Sequence, residues 1–455
     1  MFMVSLNSIL DNKLSGQKIL QVIRYWLESF SSQLLLIMEG DFTVLIKNVH
    51  VDNQAELVSV QIQAGKFKAI APNLTAQPGE KVIDGKQKLL LPPFIDSHVH
   101  LDATLTAGQP EWNQSGTLFD GIRIWHTRKQ SLTKADIKQR ARQTIKNMIG
   151  HGIQHVRSHV DVTDPHLTGV EALLELKHEL ADVIDLQLVA FPQDGILSSP
   201  KGKELMTQAI KEGLDVVGGI PHYEFTTEYG WNSIHFLMAL ADKYQRLVDV
   251  HCDEIDDPAA RNLEVLAAEA YFRGLNDRVT ASHTTAMGSY NDAYTYKLFN
   301  LLKQSQINFV ANPLVNVHLG GRFDTYPKRR GVTRIKELTA AGLNVSFGED
   351  DVQDPWNPLG DGNMLDAVTM GVYIAHLMGY QQIQHAFNYV TYNGAKTLHI
   401  SDQYGITVGK PADCILLNAP DFYHALNQHV EVLYNIRHGK ILAQTQPAET
   451  KLNLD

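Results

Sequence analysis

Residues 133–159, TKADIKQRARQTIKNMIGHGIQHVRSH, hold a helix and a strand in series. Thr133 is a good N-cap, and Asp136 follows three residues on, a looser relative of the capping box. Ile137, Ala141, Ile145 and Met148 then fall on one helical face, and Gly150 and Gly152 can end the run. Residues 153–159 follow as a strand. The same alternation continues on both sides. Strand-like runs lie near 94–98, 153–159, 185–191, 215–220, 247–251, 278–283, 307–312 and 344–347, with helical patterns between them. Strand–helix units in series imply a parallel sheet with right-handed crossovers. Eight of them closed on themselves make a TIM barrel, so the predicted class is α/β with a (β/α)8 barrel.

Outside the barrel the pattern changes. Val44, Ile46 and Val49, then Val58, Val60 and Ile62, then Phe67 and Ile70 follow a period of two, with Gly65-Lys66 as a turn. The far end has similar runs, from Cys414 to Leu417, through Val430, Val432 and Tyr434, and in a hairpin-like stretch at 437–442. The two ends are expected to pair into one small β-sandwich-like domain. The predicted organisation is an N-terminal extension over 1–38, the first part of the β domain over 39–91, the barrel over 92–404 and the second part of the β domain over 405–455. Residues 1–38 place Ile19, Leu20, Ile23, Leu27 and Phe30 at roughly helical spacing. No run reaches the ~18 apolar residues of a spanning helix. Arg24 and Glu28 interrupt what would be the apolar core of a signal peptide. A poorly ordered extension is expected there.

The chain of 455 residues is long enough for a barrel of ~250 residues and a second module. A formal charge of -10 leaves no basic face to neutralise phosphates, so no nucleic-acid partner is expected. Lys328-Arg329-Arg330 reads as a solvated loop. Cys252 and Cys414 are the only cysteines. That excludes a disulfide framework and a four-cysteine zinc site, and it fits a cytoplasmic location.

Reactive groups of such barrels sit at the C-terminal ends of the strands. Strand one ends in His98-Val99-His100. Alternate residues of a strand share a face, so both imidazoles point into the barrel mouth. Strand five ends at His251, strand six at His283, and strand eight runs into Glu349-Asp350-Asp351. Imidazole and carboxylate at four strand ends suit a divalent metal such as Zn, Fe(II) or Mn.

This order of ligands resembles the amidohydrolase superfamily, and longer stretches resemble its bacterial cytosine deaminases. They include 106–119, 152–157, 190–193, 251–257, 282–287, 312–316, 321–331 and Asp350-Asp351 with Asp354-Pro355-Trp356. The resemblance implies deamination of cytosine to uracil and ammonia in pyrimidine salvage. It also implies one divalent metal ion per subunit, Fe(II) or Zn with Mn as a further choice, and a homo-oligomer. The implied ligands are His98, His100, His251 and Asp350. Strand four ends 218–224 without the lysine that bridges two ions in binuclear members, so a single-metal site is expected.

By the same resemblance, the metal activates a water, Asp350 takes its proton and His283 holds it. Glu254 carries protons to the ring and to the leaving amine. Gln193 pairs with the amide edge of the base, Asp351 faces its amine and Trp356 walls the pocket. His155, His159, His222 and His318 are expected to pack or orient, and Asp102 to brace the first histidine pair. Two departures stand out. Glu349 sits beside Asp350 where histidine is expected, and Asp96-Ser97 precede His98 where the family often has Glu-Pro. Glu349 is expected to add an anionic neighbour to the site. The rival substrates are isoguanine and isocytosine. The rival class, a non-catalytic ligand-binding descendant, would have lost Glu254, His283 or Asp350. The expected partner is a free nucleobase, with neither nucleic acid nor membrane.

Overall fold

The computed structural model describes residues 43–453, and the extension expected over 1–38 lies outside the described residues. Eight strands form one parallel sheet whose order in space follows the chain. They are β5 (Phe94–Val99), β6 (Ile153–Asp161), β7 (Asp185–Phe191), β8 (Val216–Gly219), β9 (Leu247–Cys252), β10 (Val279–His283), β11 (Asn308–Ala311) and β12 (Val345–Phe347). All eight fall where the alternation places them. The last strand returns to the first: Val99 bridges Asp350 in parallel, the His100 N–H donates to Asp350 O at 3.0 Å, and the Asp350 N–H donates to His98 O at 2.7 Å. The seam of the barrel is therefore made by the backbones of three proposed metal ligands.

The helix between β5 and β6 obeys its sequence signals. Between α1 (Leu118–Arg128) and β6 lies α2 (Lys134–Gly150), capped by Thr133, whose side chain accepts from the Asp136 N–H. It buries Ile137, Ala141, Ile145 and Met148. Gly152 then takes φ +87, and a Cβ there would crowd Ile415 and Val432 at 3.1–3.2 Å. Glycine permits both the left-handed turn and the close approach of the second sheet.

That second sheet is built from both ends of the described chain. It comprises β1 (Val44–Val51), β2 (Leu57–Gln63), β3 (Lys66–Ala71), β4 (Lys81–Leu91), β13 (Cys414–Leu417), β14 (Val432–Arg437) and β15 (Lys440–Gln444). The order is β15-β14-β13-β4-β1-β2-β3, with β1 and β4 parallel. It is one curled sheet rather than two facing ones. The Gly65 turn meets His438, and Gly439 meets Ile62, around a core that includes Val60, Phe67, Leu416 and Ile436. Its strands meet the barrel beneath the start of β6, where the Gln154 amide donates to Asn435 Oδ1 at 2.6 Å. The strand ends that carry the site stay clear of it. Among the described residues no helix is long and apolar enough to cross a membrane.

Beneath the site the barrel interior is polar. Arg157 is fully buried. It donates to Asp249 Oδ2 at 2.8 Å, Gln187 Oε1 at 2.7 Å and Thr397 O at 2.7 Å. Removing one partner of a buried pair leaves the other charge uncompensated. Arg157→Met is therefore expected to cost about 3–5 kcal/mol of stability, read as a lower denaturant midpoint. An unchanged midpoint would mean that Asp249 finds another partner.

Candidate active site

The four predicted ligands converge at the barrel mouth. His98 Nε2 lies 3.3 Å and His100 Nε2 3.5 Å from Asp350 Oδ1. His100 Nε2 is 3.2 Å from His251 Nε2. Donor atoms of His98, His251, His283 and Asp350 all lie within 4.8 Å of one another, as do those of two further groups, His98–His100–His159 and His100–Asp350–Asp351. The ring of His98 is held from behind. Its Nδ1 faces Ser282 Oγ at 3.1 Å, and that hydroxyl donates to Asp249 Oδ1 at 2.5 Å. Nε2 is thereby left to face the site, the arrangement expected of an oriented metal ligand.

These residues fit a cation. His98 Nε2, His251 Nδ1 and Asp350 Oδ2 are buried without a hydrogen-bond partner. Buried polar atoms are normally satisfied, so three orphans in one place ask for a ligand. Burial, and then neighbouring imidazoles, hold His98, His100 and His251 well below the ordinary histidine range. Neutral imidazole is the form that ligates. Burial pushes the Asp350 carboxyl well up against the pull of His283, and Glu254 adds to the rise. Burial and the Asp350 charge raise Asp351 in the same way. A divalent ion reverses that repulsion.

His283 and Glu254 form the second half of the site. His283 Nδ1 is 3.1 Å from Glu254 Oε1 and 3.8 Å from Asp350 Oδ2. Burial lowers the His283 pKa, but the two carboxyl groups outweigh it and lift it to about 9. His283 has φ +66 and Asp350 φ +72. Left-handed backbone at two non-glycine residues costs energy and concentrates where side chains must be aimed.

A narrow cavity over these groups is also lined by Gln193, Asp351 and Trp356, the three predicted substrate contacts. Gln193 is buried, and among the described residues its amide makes no hydrogen bond within the protein, so both its polar ends are open to a ligand. The Trp356 indole is fixed by donation to Leu118 O at 3.2 Å. The cavity opens past Glu254 and Leu319 into an outer chamber of about 240 Å³.

The other histidines separate. His159 stacks on His98 with ring centroids 3.8 Å apart, and His222 Nδ1 is 3.1 Å from His251 O. Both are neighbours of the ligands. His155 lies at the far end of the barrel against Asp185, and His318 lies beside Arg322. Asp102 accepts from the Asp161 N–H at 2.9 Å, which ties the loop after His100 to β6.

Glu349 departs from expectation in direction. Its carboxyl turns behind the strand end towards Gly360, with Asp96, Asp361 and Asp366 as its charged neighbours, and it does not line the cavity. Asp96 accepts from the N–H groups of both His98 and Glu349, at 3.1 and 3.0 Å, and so clips β5 to the end of β12. The sequence reading missed Ser282, Asp249 and Asn316. Asn316 was visible only as part of the stretch 312–316, with nothing to say where its amide goes.

Residues 81–443 match the model of the amidohydrolase family. The crystal structure of 5-methylcytosine deaminase from Klebsiella pneumoniae with 5-fluorocytosine superposes with a TM-score of 0.87 at 53% identity, covering 90% of this chain and 99% of that one. The same protein with phosphonocytosine gives the same TM-score and identity. N-isopropylammelide isopropyl amidohydrolase of Pseudomonas sp. (strain ADP) is 27% identical over 419 residues, 90% of this chain and 99% of that protein. Pterin deaminase of Rhizobium rhizogenes is 27% identical over 400 residues, 87% of this chain and 90% of that protein.

Proposed function

The chain belongs to the amidohydrolase family, and from that premise we propose that it deaminates cytosine to uracil and ammonia. The observation that carries the reading is the shared cavity. It sets an unengaged amide, Gln193, beside Glu254, His283 and Asp350. An amide donor–acceptor pair suits the lactam edge of a pyrimidine, and a carboxyl group within reach of the same ring suits proton transfer. The 53% identity to a protein crystallised with two cytosine analogues supports the same substrate class.

His98, His100, His251 and Asp350 would hold one divalent ion, Fe(II) or Zn, which makes water acidic enough to react near neutral pH. Gln193 and the Trp356 wall orient the base. Asp350 accepts a proton from the attacking water, and His283 steadies that water by hydrogen bonding. As oxygen bonds to C4, Glu254 gives a proton to N3. Glu254 then takes the proton of the new C4 hydroxyl and passes it to the amino nitrogen. The C4–N bond breaks with its electron pair on nitrogen, ammonia leaves, and the proton held by Asp350 returns to Glu254. The carbonyl of uracil remains. Every one of these residues lies in the barrel, taken as 92–404.

A bicyclic base is the second reading, because the outer chamber leaves room beyond one ring. Ammonia release should be followed with cytosine, 5-methylcytosine, isocytosine and isoguanine, on protein loaded separately with Fe(II), Zn and Mn. Turnover of cytosine at least about tenfold above the others in kcat/KM is expected, a difference of about 1.4 kcal/mol in transition-state binding. Preference for isoguanine would move the assignment to the bicyclic class. No release from any of the four with any metal would sink both readings.

A further inference from the structure

Asn316 stands between the two groups that the reaction needs in register. It lies on α3 (Pro313–Leu319), the short helix that follows β11, and is 1% exposed. Its amide nitrogen is 2.9 Å from His283 Nδ1 and 3.5 Å from Glu254 Oε1, and those two atoms are 3.1 Å apart. The amide oxygen accepts from the Asn312 N–H at 3.3 Å, so both ends of the side chain are engaged. The backbone is equally confined. The Asn316 N–H donates to Asn312 O at 2.9 Å, and Gly331, at φ +72, presses its bare Cα on the Asn316 carbonyl where a Cβ would overlap. Among the described residues, His283 and Asn316 are the only side chains in hydrogen-bonding or ion-pair reach of the Glu254 carboxyl.

With His283 Nδ1 unprotonated, the two N–H bonds of the amide meet that ring nitrogen and the Glu254 oxygen together; with Nδ1 protonated, the ring donates to Glu254 and the amide keeps its contact with the carboxyl alone. A hydroxyl has one N–H equivalent to offer, and a carboxylate none. Resting on the deaminase reading above, we propose that Asn316 is a positioning residue that holds the Glu254 carboxyl against the His283 ring. Glu254 otherwise hangs on one contact at the mouth of an open chamber, where it can swing towards solvent. The Asn316 amide touches neither the predicted ligands nor Gln193, so its action runs through its two neighbours.

The test pairs kinetics with a structure. Asn316→Ala is expected to lower kcat on the best substrate about 10- to 100-fold, the range in which residues supporting a catalytic group act. KM should stay within about threefold, and bound metal should not change. Asn316→Asp, of the same shape, replaces both donors by an anion facing Glu254 and should lose at least as much; it serves if the alanine variant does not fold. In a Glu254→Gln background, Asn316→Ala should cost less than about twofold, because the group it positions is already gone. A full, multiplicative loss in that double variant would overturn the proposal. So would a crystal structure of Asn316→Ala with the Glu254 carboxyl still in place against His283. If wild-type protein releases ammonia from none of the bases, the deaminase reading fails. The crystal structure alone then decides whether Asn316 places Glu254.

Discussion

Glu254→Gln is expected to lower kcat for ammonia release by about 100- to 10,000-fold, the range over which a positioned proton carrier contributes. The substitution keeps the shape of the side chain and its contact with the Asn316 amide. It removes only the capacity to take and release a proton. Glu254 is buried, lies against His283 and borders both the inner cavity and the outer chamber, so a ring in the cavity and an amine leaving it pass the same carboxyl. KM should change little, because Gln193 and Trp356, which line the same cavity, are the groups proposed to hold the base. Bound metal should remain at one ion per subunit. If Glu254→Gln retains kcat within about tenfold of wild type, the proton passes elsewhere. Asp351 is then the next carboxyl to replace, since it lines the same cavity.

The second large effect concerns the histidine cluster. His98→Ala is expected to weaken metal binding by more than about 100-fold, beyond what loss of a supporting residue costs, and to abolish ammonia release. His98 offers Nε2 to the site while Ser282 secures its other nitrogen, so no neighbour can take its place without rotating away from its own support. Metal content of the purified variant reads the effect directly. Stability gives a second reading. A ligand that binds only the folded state stabilises it by about 2.7 kcal/mol at 100 times its dissociation constant. Chelation should therefore lower the thermal midpoint of wild type and leave that of His98→Ala where it is. A variant that keeps one tightly bound ion would remove His98 from the ligand set and bring forward the grouping that lacks it, His100–Asp350–Asp351.

Much of this was readable before any coordinates. Thr133, Asp136 and the apolar stripe of α2 specified that helix because capping and one-sided burial are local or periodic demands. The eight strands were legible because each is a short apolar run between turn signals, and their closure followed from the count. Once a barrel is assumed, ligands at the ends of β5, β9, β10 and β12 must face one mouth. That is how residues as far apart in the chain as His98 and Asp350 were assigned to one centre.

What the sequence by itself determined was therefore the α/β barrel and the strand ends that carry donors, while the family resemblance supplied the proposed list of His98, His100, Gln193, His251, Glu254, His283, Asp350, Asp351 and Trp356. The tertiary structure alone decided where several side chains point and what stands behind them. The period-two rule holds only inside a regular strand. At φ +66 for His283 and φ +72 for Asp350 the chain leaves that geometry, and the face each side chain takes is no longer a matter of counting. Glu349, beside Asp350 in the sequence, turns behind the strand end, where burial and its acidic neighbours push its carboxyl well up. Ser282, Asp249 and Asn316 act through hydrogen bonds that depend on distances of a few ångströms between separate elements. No residue pattern encodes those distances locally, because they are set by how the closed barrel packs.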